Sequence, residues 1–488
     1  MHGKHLAAIT INSPRMKRIT LLTLTLTVLL SAACKKNFEA INKNPNLIDQ
    51  ISPGTLLNEI IYNMASTNLR NNYNITCQLM QVQLNYPQYY GGVHRYEILE
   101  NTGLSQWDAS YKWAKNVSEM LQTAEKDNAS NYISVALTLR AWIYANLTDV
   151  FGDVPFSQAS RAEEGILQPV YDSQQDIYTQ LLADLERANS LYDHAAGMVY
   201  GTDILFGNDT HLWQKFTNSL RLRLLLRISD VDPSAYAKMV AIIEDPAASP
   251  VIANVEESVI LQVTGVTPNI SPWSRALDFS TQHSVAAFFI DILNELDDPR
   301  RPFFVTQARA EGADIGYKGI PSGYDDAAFS YSPSYMNNQQ VVVPMQIPIL
   351  TYAEVSFIKA ELAQRGYLTG AEDFYKAGIR AAINIVTEEN IDDAYFLSPL
   401  AIYDGSLERI MLHKYLALYF TDFQQWSEYR RTGYPVLPKT NSMLNDGVMP
   451  SRLLYPGIQQ IYNPENYQRA IDRMGGDDIN FKLWWDVN

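Results

Sequence analysis

The feature that most restricts this chain is a recurrence of apolar residues every three or four positions, sustained over long stretches and returning in pairs. Residues 105–126 and 131–150 form one such pair, separated by a short polar turn. In 173–192 the spacing places Ile177, Leu181, Leu185 and Ala188 on one helical face, and in 212–229 it aligns Trp213, Phe216, Leu220 and Leu224. The pattern resumes in 351–366, with Val355, Ile358 and Leu362 in register and a stop at Gly366. It continues in 371–389, through Phe374, Ala377, Ala381 and Ile385, and in 407–431, before Gly433 and Pro435. Small residues fall where paired helices would cross: Ala136, Ala141 and Ala145, then Ala353, Ala360 and Ala363. The expectation is a mainly α protein built of tetratricopeptide-like helix pairs. No fixed period survives, so the pairs are embedded in something larger than a regular solenoid. Trp113, Trp142, Trp213 and Trp426 fall on helix faces and are expected in the core.

Between the helical blocks, residues 230–348 are rich in Pro, Gly, Ser and Tyr, with short β-like runs at 259–263 and 341–348. So long an irregular stretch is expected only as a functional surface held by a rigid frame. The chain therefore divides into a helical frame over about 54–229 and 349–488 and an irregular, loop-rich part over about 230–348, together one domain of 54–488.

The amino-terminal region reads differently. Ile19 to Leu30 is apolar, follows Met16, Lys17 and Arg18, and reaches only ~18 Å as a helix against the ~30 Å of a bilayer core. A basic start, a short apolar middle and a small-residue end are the layout of an export signal. Ser31, Ala32 and Ala33 directly before Cys34 fit a lipoprotein signal over 1–33 with acylation of Cys34; a plain secretory signal with an incidental cysteine is the alternative. Residues 34–53, rich in Asn and Pro, read as a tether. Maturation at Cys34 leaves 455 of the 488 residues and takes the net charge from −15 to −19, because the removed segment carries Lys4, Arg15, Lys17 and Arg18 and no acid. A surface this acidic repels phosphate backbones and anionic lipid, which excludes nucleic-acid binding and leaves the lipid as the membrane attachment. Cys77 has no second thiol to pair with and is expected as a small buried side chain.

The sequence offers little to catalysis. Nucleophile elbow, phosphate loop, dinucleotide fingerprint and paired-histidine zinc helix are all absent. His94, His194, His211, His283 and His413 share no ligand spacing, so neither a metal nor another cofactor is expected. Acidic pairs stand at Glu163/Glu164, Asp297/Asp298, Asp325/Asp326 and Asp392/Asp393, but a glycosidase needs two carboxylates roughly 5 to 10 Å apart, which adjacent loop residues rarely provide. The stronger signal is aromatic. Tyr outnumbers Phe 30 to 17, favouring a ring with a wet tip, and tyrosines gather outside the helical stripes. Tyr86, Tyr89, Tyr90 and Tyr96 lie in one segment, Trp273 and Arg275 in "SPWSR", and Tyr317, Tyr324, Tyr331 and Tyr335 in a third. A flat ring can stack on the C–H face of a sugar while Asn, Asp or Arg bonds its hydroxyls. Glycan binding is thus expected, with Tyr86, Tyr89, Tyr90, Tyr96, Trp273, Arg275, Tyr317 and Tyr324 as candidate contacts; packing of loops on helices is the alternative for each ring.

"ANLTDVFGDVPFSQA" (145–159) resembles the Asp-x-Phe-Gly-Asp-x-Pro segment of the SusD/RagB-like nutrient-binding lipoproteins of the Bacteroidetes outer membrane. "NFEAINKNPN", "WQKFTNSLRLRLLLRISD", "DDPRRPFF", "ILTYAEVSFIKAELAQRG" and the ending "GGDDINFKLWWDV" follow in family order, and the Lys-Leu-Trp-Trp segment places the resemblance in one branch. The resemblance implies a SusD-like fold: helix pairs packed against a loop-rich part with few strands. It implies no catalysis, but capture of an oligosaccharide or other nutrient by a lid on a SusC-like TonB-dependent transporter, tethered through Cys34 to the outer membrane. Lys35 and Lys36 follow the cysteine where acids are frequent in surface-exposed lipoproteins, so outward exposure rests on the family. Ligand contacts in the family correspond loosely to 85–96 and 270–335. The "DVFGDVPF" segment itself reads as structural, with Gly152 as a left-handed cap, Pro155 ending the helix, and Phe151 and Phe156 free to pack. A peptide or other non-glycan nutrient, a surface hydrolase and an envelope-assembly scaffold are the competing readings.

Overall fold

A computed structural model of the chain describes residues 52–87, 92–324 and 328–487. It is mainly helical. The frame is formed by α1 (Leu57–Asn71), α2 (Leu104–Lys126), α3 (Ser130–Phe151), α4 (Gln174–Leu191), α5 (Thr210–Arg227), α6 (Ser234–Glu244), α7 (Ala287–Glu295), α8 (Tyr352–Gln364), α9 (Ala371–Thr387), α10 (Leu407–Ala417), α11 (Gln424–Thr432) and α12 (Pro464–Met474). Local chemistry sets several starts: the Ser173 hydroxyl accepts from the Asp176 amide at the head of α4, and Asp209 accepts from His211 and Leu212 at the head of α5.

Helix α3 departs from the amphipathic expectation. It packs against α2, α4 and α5 together, and nearly every residue from Asn131 to Phe151 is buried, so it is covered all the way round, with buried polar groups such as Thr138, Asn146 and Asp149 bonded to neighbouring elements. Trp113, Trp142, Trp213 and Trp426 are buried as expected, and Cys77 is buried with its thiol donating to Asn72 Oδ1 at 3.1 Å.

The stretch read as one helix over 407–431 is two. Between α10 and α11 the chain turns through Phe420 and Asp422, both with positive φ. Tertiary bonds hold the corner: the Asp422 carbonyl accepts from Asn72 Nδ2 at 2.6 Å, and its carboxylate from Asn146 Nδ2 at 3.1 Å. Around this corner lies a buried charge network. Arg223 grips Glu354 through two bonds of 2.7 and 2.6 Å, and Arg431 grips Glu361 at 2.8 and 2.6 Å. Glu428 meets Arg227 at 2.9 Å, Lys414 at 2.7 Å and Arg431 at 2.7 Å. Burial opposes ionisation of Glu428, but the three cations prevail and hold its carboxyl well below the usual range. The network ties α5, α8, α10 and α11 into one body, and removing one partner would strand a buried charge at a cost of roughly 3 to 5 kcal/mol.

Four short strands are of note: β1 (Gln83–Asn85), which comes from the amino-terminal stretch, and β2 (Val259–Val263), β3 (His283–Val285) and β4 (Met345–Leu350) in and at the end of the loop-rich part. β1 pairs antiparallel with β3, and β2 with β4. The β-like run expected over 341–348 begins only at Met345, since 338–341 form a 3-10 turn and Pro344 has no N–H to give a ladder. Helix α6 packs on α5, so helix pairing continues past residue 229.

Candidate functional site

The two sequence regions rich in tyrosine meet at the end of the β1–β3 ladder. Leu84 pairs with Ser284 and Asn85 with His283; then the Tyr86 amide donates to the Gln282 carbonyl at 2.8 Å, and Pro87, without an N–H, cannot extend the ladder. Opposite, Val305 bridges Met336, and the Thr306 amide donates to the Tyr335 carbonyl at 2.9 Å. These backbone pairings bring the Tyr86 and Tyr335 rings to 6.4 Å, tilted by 51°. They flank an open cleft of about 450 Å³ whose lining includes Pro87, Thr281, Gln282, Thr306 and Asn338. Rings above, with hydroxyls and amides along the edges, match what a sugar presents: an apolar face and a polar rim.

Behind Tyr86 the rings continue inward. Tyr324 lies 5.9 Å and Phe329 6.1 Å from it, and Tyr331 is 5.7 Å from Phe329. Hydrogen bonds fix two of them, Tyr324 Oη to the Asn85 carbonyl and Tyr331 Oη to the Gly319 carbonyl, each at 2.8 Å. His94 stacks on Tyr324 at 5.5 Å, and its Nδ1 accepts from the Gly323 amide at 3.2 Å. Burial, aided by neighbouring Arg95, lowers the His94 pKa to about 4, so the ring is neutral and able to accept that bond. Tyr86 is thereby braced from behind by a fixed stack.

Of the candidate contacts read from the sequence, the structure brings Tyr86 and Tyr324 together, with Tyr324 5 % exposed as the second layer. Tyr96 is buried on the 93–96 turn, where Arg95 is bonded to Ser442 and Leu444. Trp273, 7 % exposed, is packed edge-on against Tyr73 at 5.8 Å and Phe279 at 5.2 Å, under the Arg70 guanidinium. Its ring faces are taken up by protein. Arg275 is exposed and paired with Asp278, and Tyr317 lies half-buried beneath Arg301. Tyr89, Tyr90 and Cys34 lie outside the described residues. Tyr335, Gln282, Thr306 and Asn338 were not among the candidates. Their position depends on long-range pairing, Val305 with Met336 and Thr306 with Tyr335, which no local pattern in the sequence announces.

The acidic pairs have structural partners. Asp298 holds Arg300 and accepts from Tyr395, Asp297 meets Arg301, Glu163 meets Lys115, Glu164 meets Arg161 and Asp393 meets Arg380, while Asp325 and Asp326 lie outside the described residues. Among the described residues no group of three or more His, Cys, Asp and Glu is placed to hold a metal ion, and no helix is long and apolar enough to cross a membrane.

The "DVFGDVPF" segment works inside the frame. Gly152 does take a positive φ, 86°, though with ψ −129° rather than the helical left-handed value. Asp149 accepts from Tyr178 Oη at 2.6 Å and Trp485 Nε1 at 2.8 Å, and Asp153 receives the Gln174 amide at 2.9 Å and Arg473 at 2.6 Å.

Helix pairs carrying a loop-built cleft of rings define a ligand-binding protein class, and the comparisons say which. The family model SusD-like_2, described as "Starch-binding associating with outer membrane", matches residues 45–456, and the chain belongs to this family. Among solved structures, one named a chitin-binding protein shares 26% identity over 88% of this chain and 98% of its own, with a TM-score of 0.75. A SusD homolog from Bacteroides fragilis NCTC 9343 shares 25% identity over 90% and 99% of the two chains, with a TM-score of 0.74. A Bacteroidetes SusD-like protein at 21% identity, with a TM-score of 0.76 over 90% and 100%, shares the fold. No curated protein sequence matches the chain.

Proposed function

We propose that the protein is a lipid-anchored, outward-facing binding protein of the outer membrane. It captures an oligosaccharide in the Tyr86/Tyr335 cleft and passes it, chemically unchanged, to a SusC-like TonB-dependent transporter that it covers as a lid. The observation that carries this reading is the pair of rings 6.4 Å apart over an edge of amides and hydroxyls. A pyranose laid on Tyr86 would keep its hydroxyls within reach of Gln282 and Asn338 while its C–H face displaces water from the ring. Membership of a starch-binding, outer-membrane family supports the ligand class and the location, and the chitin-binding name of a similar structure supports a glycan. The lipoprotein signal over 1–33, the tether over 34–53 and acylation at Cys34 supply the anchor.

Calorimetric titration of the protein with maltohexaose and chitohexaose tests the cleft. One of them should bind without products appearing on chromatography, and combined Tyr86→Ala and Tyr335→Ala should weaken it by roughly tenfold or more. Unchanged affinity in that variant would overturn the site. Mass spectrometry of proteins retained with it from native outer membranes tests the lid, through recovery or absence of a TonB-dependent barrel.

A further inference from the structure

A second concavity lies on the far side of the wall that carries Tyr335. The Val305–Met336 bridge and the Asn337 amide, which donates to the Phe304 carbonyl at 2.8 Å, make one short partition. Tyr335, Met336 and Asn338 line the sugar cleft, while Asn337, Gln339 and Gln340 line a separate pocket of about 380 Å³. Its aromatic lining includes Phe304, 4.6 Å from Tyr419, and Phe420, which stacks on Tyr419 at 4.2 Å. Ile385 and Val386 of α9 contribute aliphatic surface, Pro344 adds to it, and Phe303 remains 44 % exposed.

Several polar atoms in the lining are bonded within the protein, while the amides of Gln339 and Gln346 stand exposed. Gln340 gives its amide to the Phe304 and Asn337 carbonyls at 2.8 and 3.1 Å and takes the Tyr419 hydroxyl at 2.9 Å; Asn337 Nδ2 is bonded to the Pro302 carbonyl at 3.0 Å. Arg300 is neutralised by Asp298 at 2.7 Å, which leaves the exposed Glu388 as the other charged side chain of the lining among the described residues. A sugar placed here would exchange most of its water bonds for apolar walls and for the bonded amides of Asn337 and Gln340, with Gln339 and Gln346 alone among the lining amides exposed, and an anion would meet Glu388. The volume nevertheless lies in the range of real ligand sites and far above the voids that close packing leaves.

We propose that this pocket is a second binding site, independent of the sugar cleft, for an uncharged small molecule of one or two fused aromatic rings. The test is equilibrium dialysis of 2-naphthol against the full-length protein. A single saturable site is expected. Phe303→Ala removes an exposed part of the lining, and Ile385→Trp fills the space from α9; each should weaken binding by roughly tenfold or more with an unchanged thermal midpoint. Tyr86→Ala should leave it unaltered. The proposal is overturned if 2-naphthol binds without saturation, if Phe303→Ala in a folded protein leaves its affinity intact, or if Tyr86→Ala is the change that abolishes it.

Discussion

Trp485 Nε1 donates to Asp149 Oδ1 at 2.8 Å, joining residues 336 positions apart. Asp149 opens the "DVFGDVPF" segment and Trp485 closes "KLWW", so two stretches that mark the family in sequence are one contact in space. Burial pushes the Asp149 carboxyl up, while Arg227, Tyr178, Arg430 and Trp485 pull it back. Trp485→Phe keeps one six-membered ring but deletes the N–H donor together with the rest of the indole at a fully buried position, and should destabilise the fold by about 2 to 5 kcal/mol. A urea unfolding midpoint equal to that of the parent would show that the bond carries no net weight.

Two buried histidines make stability depend on mild acid. Burial lowers both His94 and His413 from 6.5 to about 4, and His413 Nε2 is held at 2.9 Å from the Leu400 carbonyl. Above pH 6.5 folded and unfolded chains are both neutral at these rings, and their contribution is fully present. As pH falls from 6.5 towards 4 the unfolded chain takes up protons that the folded chain refuses, so stability drops by at most about 3 kcal/mol for each ring. Unfolding curves at pH 7 and 4.5 should show this loss, and it should shrink in the His94→Gln, His413→Gln variant; carboxylates common to both proteins cancel in that comparison.

Trp273 and Tyr86 should separate stability from binding. Trp273→Ala empties a site among Tyr73, Phe279 and Arg70, costing about 3 to 5 kcal/mol, with the sugar affinity of the folded fraction unchanged. Half-buried Tyr86, replaced by Ala, should lose affinity with little change in melting temperature. The reverse pattern would place the ligand at Trp273.

Cys34→Ala should move the protein from the membrane pellet to the soluble fraction of lysed cells. Retention of this variant in the pellet would sink the lipid anchor.

Periodicity located α2, α4, α5, α8 and α9 within two or three residues; α2, α4 and α9 keep a polar face that leaves an apolar stripe to read, while α5 and α8 are buried on most sides and were found from their apolar spacing alone. It missed the all-round burial of α3, which depends on three neighbours, and the break at Phe420–Asp422, which depends on Asn72 and Asn146 far away in the chain. The cleft was legible as composition and not as membership. Tyrosine enrichment marked the two segments that meet at this cleft, yet which rings meet follows from the 84/284 and 305/336 pairings. Trp273 shows the opposite failure: an aromatic residue in a loop sequence that folds inward against the core.

The Asp149–Trp485 contact also sets an order of events. In a chain made amino end first, the Asp149 carboxyl group of α3 lacks its indole partner until 336 further residues have followed. The central helices can gather early, but Asp149 gains this bond only when the tail arrives, so a chain cut short before Trp485 would leave a buried carboxylate with one donor fewer.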